Sequence, residues 1–129
     1  MKDKTLIVFQ DGRADLERTA KSLSDRLESD KCEAIVKAAS QVTIPEILAA
    51  KSLVFGADEA GSASYAEIAR VLAGINLAGR RVAFFGTNGA AVAWLKNMAA
   101  DSELGPIGTD LVGSKPDPAS IAAWVRSIP

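Results

Sequence analysis

The sequence predicts an α/β fold: an open, doubly wound sheet of five parallel strands in the order 2-1-3-4-5, covered by helices on both faces as a three-layer sandwich. Three observations carry that expectation. Apolar runs of strand length recur along the 129 residues, at TLIVF (5–9), CEAIV (32–36), SLVFG (52–56), RVAFFG (81–86) and DLVG (110–113). Segments of helix length separate them, which is the βαβ pattern of a parallel sheet with right-handed crossovers. The middle runs are continuously apolar rather than alternating, as strands covered on both faces require. At this length the chain reads as one domain, residues 1–129, and 48% hydrophobic content suffices for a core.

The first strand runs through a polar turn into a helix. There Leu16, Ala20, Leu23 and Leu27 fall four, three and four residues apart on one face, with Glu17, Arg18, Lys21 and Asp25 opposite. After the second strand, TIPEILAA (43–50) makes a short helix with Pro45 at its start. In SYAEIARVLAGI (64–75), Ser64 and Glu67 have capping-box spacing. Ile68, Val71 or Leu72, and Ile75 face the core, and Gly74 or Gly79 ends the helix. AAVAWLKNMAA (90–100) turns Val92, Leu95 and Met98 or Ala99 inward. Asp117 caps a last helix with Pro118 at its first position and Ile121, Val125 and Ile128 on its inner face.

Composition removes several kinds of chemistry. With 15 basic and 16 acidic residues there is no electrostatic footprint for nucleic acid or an anionic membrane. One cysteine, Cys32, excludes an internal disulfide and a thiolate cluster, and zero histidines remove the commonest metal ligand and general base. No metal ligand set and no catalytic residue is assigned, since Ser62 and Ser64 have no histidine to activate them. The amino terminus lacks a signal-peptide pattern and no run reaches the roughly 18 apolar residues of a membrane span, so a soluble, cytoplasmic protein is expected. Val92, Trp94 and Leu95 give one helix more apolar surface than a single stripe needs, which makes a homodimer an expectation.

In an open sheet of this order, ligands sit beyond the carboxyl ends of the strands where the strand order reverses. The loops that reach this point are 10–15, 57–63, 87–90 and 114–117. Three stretches there carry a family pattern. NLAGRRVAFFGTNG (76–89) has a polar residue, Leu, any residue and Gly before a basic pair, an apolar strand and Phe-Gly-Thr. IVFQDGRADLERTA (7–20) joins an apolar strand to a helix with an early alanine, and TDLVGSKPDPASIAAWV (109–125) is a strand ending Val-Gly, a proline-bearing loop and a final helix. The chain resembles the flavodoxins over nearly its whole length. That resemblance implies a flavodoxin-like fold, FMN as cofactor and electron transfer as activity. It places the phosphate turn at Asp11, Gly12, Arg13, Ala14, Asp15 and Leu16, and the ring loops at Gly56, Ala57, Asp58, Thr87, Asn88 and Gly89.

Departures from that pattern shape the expected function. The family holds the FMN phosphate with hydroxyls and amides at a helix amino terminus. Here the turn reads Arg13, Ala14, Asp15 and Leu16: two threonine hydroxyls are gone, a glycine has become alanine, and Asp15 replaces an asparagine. Asp11 replaces a serine or threonine. Two carboxylates about 4 Å from a phosphate would each cost roughly 1–4 kcal/mol. The loops ADEAGSAS (57–64) and TNGAAV (87–92) carry no aromatic to stack on a flavin, and Tyr65 and Trp94 fall inside helices. The expectation is therefore a non-catalytic binding or interaction module for an unknown protein partner, with no cofactor. The alternative is a divergent FMN-binding electron-transfer protein using backbone amides and Arg13. A third reading, a receiver-like phospho-acceptor, would use Asp58 with Thr87 and Lys115, although the acidic pair that holds Mg²⁺ in receivers is missing at Phe9 and Gln10.

Overall fold

The structure is a computed structural model that describes residues 3–27, 32–59, 65–74, 81–99, 105–106 and 111–112. Along the chain run β1 (Asp3–Phe9), α1 (Ala14–Leu27), β2 (Cys32–Ala38), a 3-10 turn (Ala39–Gln41), α2 (Ile44–Ala49) and β3 (Ser52–Ala57). α3 (Ala66–Gly74), β4 (Arg81–Gly86), α4 (Gly89–Ala99), β5 (Gly105–Pro106) and β6 (Leu111–Val112) follow. The expected last helix, Lys115 and the proposed cap Ser64 lie outside the described residues.

Every strand pair is parallel, and the order β2-β1-β3-β4 is the expected one. β3 takes one edge of β4 along all of its length, from Ser52↔Arg81 to Ala57↔Gly86. Both short strands therefore lie on the other edge, β5 against Arg81 and Val82, and β6 against Phe85 and Gly86. β6 falls within the expected run 110–113. Gly105–Pro106 was not expected as strand, because Gly and Pro read as turn; at a sheet edge a proline need not donate to the ladder.

Alternation along the strands sorts the core into two layers. Leu6, Val8, Leu53, Phe55, Val82 and Phe84 face Ile47 of α2, Ile68 and Leu72 of α3, and Val92 and Leu95 of α4. Ile7, Phe9, Val54, Ala83 and Phe85 face Leu16, Ala20 and Leu23 of α1. All six residues of β3 are buried, which explains its unbroken apolar run. α2 is fixed at its start by Glu46, whose carboxylate accepts from the Thr43 N–H and hydroxyl, each at 3.0 Å, and pairs with Lys37 at 3.2 Å. Burial pushes the Glu46 carboxyl up, but these three donors outweigh it and hold the group below its ordinary value.

The spare apolar face expected on α4 is filled from within the chain. Val92 and Leu95 are buried, and Trp94 packs edge-on against Tyr65 with ring centroids 5.7 Å apart. One edge of the partly buried indole is thus taken up by a core aromatic of the same chain.

Two glycines are required by close approach: a Cβ on Gly86 would lie 2.6 Å from the Ala57 carbonyl oxygen, and Gly56 is tighter still. A Cβ on Gly56 would land in the ring of Phe85, which lies across β3 on the α1 face. Gly56→Ala is expected to destabilise the fold by about 1–3 kcal/mol through overpacking. Urea unfolding measures it, and Phe85→Leu in the same chain should recover part of the loss.

Candidate functional site

β1 and β3 lie side by side where the strand order reverses, and their carboxyl ends are locked together by two side chains. Gln10 is buried at the end of β1. Its N–H donates to the Gly56 carbonyl (3.0 Å), its side-chain oxygen accepts from the N–H groups of Asp58 (3.0 Å) and Glu59 (3.3 Å), and its amide nitrogen donates to the Glu59 carboxylate (3.4 Å). Below it the Tyr65 hydroxyl donates to the Gly56 carbonyl (2.6 Å), lies 3.2 Å from the Val8 carbonyl and accepts from the Gly56 N–H (3.1 Å). Neither residue was among the expected site residues. A glutamine read as the first residue of the loop 10–15 gives no hint that its amide will reach the loop after β3, and Tyr65 read as a packed helical side chain, whereas it is buried in the core just before α3.

The turn 11–16, where a phosphate is expected, is described throughout. Gly12 has φ +74°, a conformation in which glycine pays no steric penalty, and no atom lies within 4 Å of where its Cβ would be. α1 begins at Ala14, whose exposed methyl offers no hydrogen bond, and Leu16 belongs to the core beneath the sheet. The two carboxylates expected to repel an anion have other partners. Asp11 accepts from the Ser40 N–H at 3.0 Å and from its hydroxyl, which draws the acid toward the 3-10 turn. Asp15 pairs with Arg18 at 3.2 Å along α1.

Arg13 bridges this turn to the loop after β3. Its Nε lies 3.3 Å from Asp58 Oδ1 and its Nη2 3.5 Å from the Glu59 carboxylate, so one cation faces two anions. Asp58 Oδ1 is buried and makes no hydrogen bond; the guanidinium offsets its charge from ion-pair distance without the alignment of a hydrogen bond. The loop after β4 completes the rim. Asn88 caps α4 by accepting from the Ala91 N–H (2.9 Å) and donates to the Asp58 carbonyl (2.8 Å). Thr87 is half-buried beside it, while Gly89 opens α4 with free space at its Cβ position. Ala57 is core on the α3 face. Arg13 thus meets Asp58, Asn88 and the neighbouring Thr87 around one crevice, with Gly12 next to Arg13 in the turn and Asp11 drawn to Ser40, whereas Leu16, Gly56 and Ala57 belong to the packed sheet and core below. Behind the turn a cavity of about 440 Å³ opens between α1 and β2, lined by Asp11, Gly12, Glu17, Lys21 and Lys37 among others.

Of the receiver-like set, Asp58 and Thr87 are described and both lie beside Asn88, while Lys115 falls outside the described residues. Asp58 is tied to Arg13, and among those residues no three acidic, cysteine or histidine groups come together to hold a metal ion. None of the described helices is long and apolar enough to cross a membrane.

Comparison with known proteins finds no matching family model and no matching curated protein. Solved structures do match. A flavodoxin from Streptococcus pneumonia TIGR4 superposes with a TM-score of 0.81 at 16% identity, covering 97% of each chain. The fold is that of the flavodoxins. Oxidised flavodoxin 2 from Bacillus cereus gives 0.81 at 17% identity over 96% of each chain. Fusobacterium nucleatum flavodoxin bound to flavin mononucleotide gives 0.77 at 12% identity, over 99% of this chain and 97% of the other. The expectation of no cofactor does not stand: this fold is seen holding FMN, and the two carboxylates on which the expectation rested are engaged elsewhere, Asp11 by Ser40 and Asp15 by Arg18.

The buried phenol offers a direct check on the seam. Burial, aided by the Asp11 charge, drives the Tyr65 hydroxyl well above its ordinary value of 10.0, although the hydrogen bond to Gly56 pulls the other way. The neutral form is the one the fold accepts, so its contribution is full below pH 10 and is lost as pH rises beyond it, where only the unfolded chain gains by ionising. Tyr65 is the single tyrosine of the chain. Absorbance at the tyrosinate band should therefore stay flat past pH 10 and rise only together with loss of far-UV ellipticity. Tyr65→Phe, which strands the Gly56 N–H, is expected to cost about 1–3 kcal/mol in urea unfolding.

Proposed function

We propose that the chain is a non-catalytic binding module of flavodoxin fold whose ligand is FMN, seated in the crevice above β1, β3 and β4. Arg13 is the observation that carries the reading. Its guanidinium stands at the entry to α1, where amides and the helix macrodipole favour an anion, and its side chain remains 43% exposed. The pairs that hold it with Asp58 and Glu59 are partly solvated, and such pairs contribute about 0–1 kcal/mol each. An arginine–phosphate contact, bidentate and charge-assisted, outweighs them. The open space at Gly12 lets backbone approach the phosphate, and Asp58 Oδ1, which is ion-paired with Arg13 but accepts no hydrogen bond, suits the imide N–H of a flavin ring. Bound FMN would supply the redox chemistry; the chain's own residues hold the phosphate and orient the ring. With no aromatic in the described parts of the ring loops, the ring is held by polar contacts rather than by stacking.

Fluorescence anisotropy of FMN and riboflavin titrated with the purified protein tests this. FMN should bind at least about tenfold more tightly than riboflavin, and Arg13→Ala should remove most of that difference, as loss of one charge-assisted contact of about 1.5–3 kcal/mol requires. Equal affinities, or no binding of either flavin, would overturn it. A second reading has its own observation: Arg13, Asp58, Glu59, Gln10 and Asn88 are linked to one another and present a fixed pattern of charge. It makes this rim a docking face for a protein partner beside the flavin.

A further inference from the structure

β2 is an outer strand of the sheet. β1 occupies one side of it over seven residues, Asp3↔Cys32 to Phe9↔Ala38, and no described strand pairs with the other side. Natural edges are normally blunted by proline, by a bulge, by short length or by a free lysine. CEAIVKA has no proline or glycine and runs in unbroken register with β1. Its one cation, Lys37, is held by Glu46 of the same chain. The strand is also complementary to itself when reversed. About a two-fold axis through Ile35, Glu33 falls opposite Lys37 of a second copy, Lys37 opposite Glu33, Ala34 opposite Val36, and Ile35 opposite Ile35. Alternation places Glu33, Ile35 and Lys37 on one face and Ala34 and Val36 on the other. Ile35 is partly buried against the α2 side of the core, and Ala34 and Val36 are partly buried against the α1 side, so apolar surface remains on both faces of the edge.

We propose that the chain forms a two-fold homodimer by antiparallel pairing of β2 with β2 of a second copy, which joins the two sheets into one. The charge pattern selects this occupant: each dimer gains two cross-strand Glu33–Lys37 pairs with like charges nowhere opposite each other. Seven residues from each chain lie at the small end of specific interfaces, so the association is concentration-dependent. It does not depend on the flavin site, which lies in the loops beyond the strand ends.

Sedimentation velocity from low micromolar to millimolar protein should show a monomer–dimer equilibrium that weakens as salt is raised. Glu33→Lys and Lys37→Glu each set like charges opposite at both pairs, and each alone should weaken dimerisation by about tenfold or more. An equimolar mixture of the two variants restores opposite charges and should regain the dimer, with far-UV circular dichroism confirming that each variant is folded. Wild-type protein that stays monomeric throughout, or a dimer that neither reversal weakens, would overturn the proposal. So would two folded variants that fail to associate on mixing.

Discussion

Everything at the crevice depends on the seam between β1 and β3. Parallel strands at a reversal of strand order diverge into helices on opposite faces, so their carboxyl ends have no common loop to hold them. Here two side chains replace that loop. Tyr65, just before α3, reaches up to the backbone of Val8 and Gly56, and Gln10 reaches across from β1 to the amides of Asp58 and Glu59. One bond of each kind would be modest, about 1 kcal/mol, but leaving the same buried groups unpaired costs more than making the bonds gains. The seam is therefore a requirement of satisfaction as much as a source of stability, and it sets where Arg13, Asp58 and Asn88 can meet.

Charge at the rim follows from that placement. Four acids and one arginine surround the crevice, which on sequence alone reads as hostile to an anion. In the fold each acid has been assigned: Asp11 to Ser40, Asp15 to Arg18, and Asp58 and Glu59 to Arg13. The pairs differ in what they tie down. Asp11 and Asp15 engage groups that stay on one side of the turn, whereas Arg13 connects two loops and is the group whose exchange of partners would change the rim. Partly exposed pairs are easily exchanged, so the same contact that orders the rim does not seal it.

Much of the fold was legible because helix and strand periods differ. The continuously apolar SLVFG and RVAFFG runs became the buried β3 and β4, and Leu16, Ala20 and Leu23 became the core face of α1. What was missed is non-periodic or non-local. Gly105–Pro106 pairs with β4 against its own turn propensity, because pairing at an edge is decided by the neighbouring strand. Trp94 read as spare surface because nothing in its helix reveals Tyr65 as its neighbour. At the site, the expected turn and loops are joined by Arg13 and Asn88 at Asp58, but residue type alone gave the sign of each charge and not its partner. Gln10 shows the limit most plainly, since its role exists only once β1 and β3 are adjacent.

Asn88 has a further consequence, over the lifetime of the protein rather than in its fold. It is followed by Gly89, which has no side chain to shield an asparagine amide from attack by the next backbone nitrogen. In the folded chain that amide is held twice, by the Ala91 N–H and by the Asp58 carbonyl. Conversion to aspartate would spare the helix cap, since a carboxylate accepts from Ala91 as well as an amide oxygen does. It would not spare the rim, because the donor to the Asp58 carbonyl disappears and a third negative charge arrives beside Asp58 and Glu59. The isoaspartate that forms alongside aspartate would also lengthen the backbone at that cap, so chemical ageing of this protein would register both at the start of α4 and in the charge of its crevice.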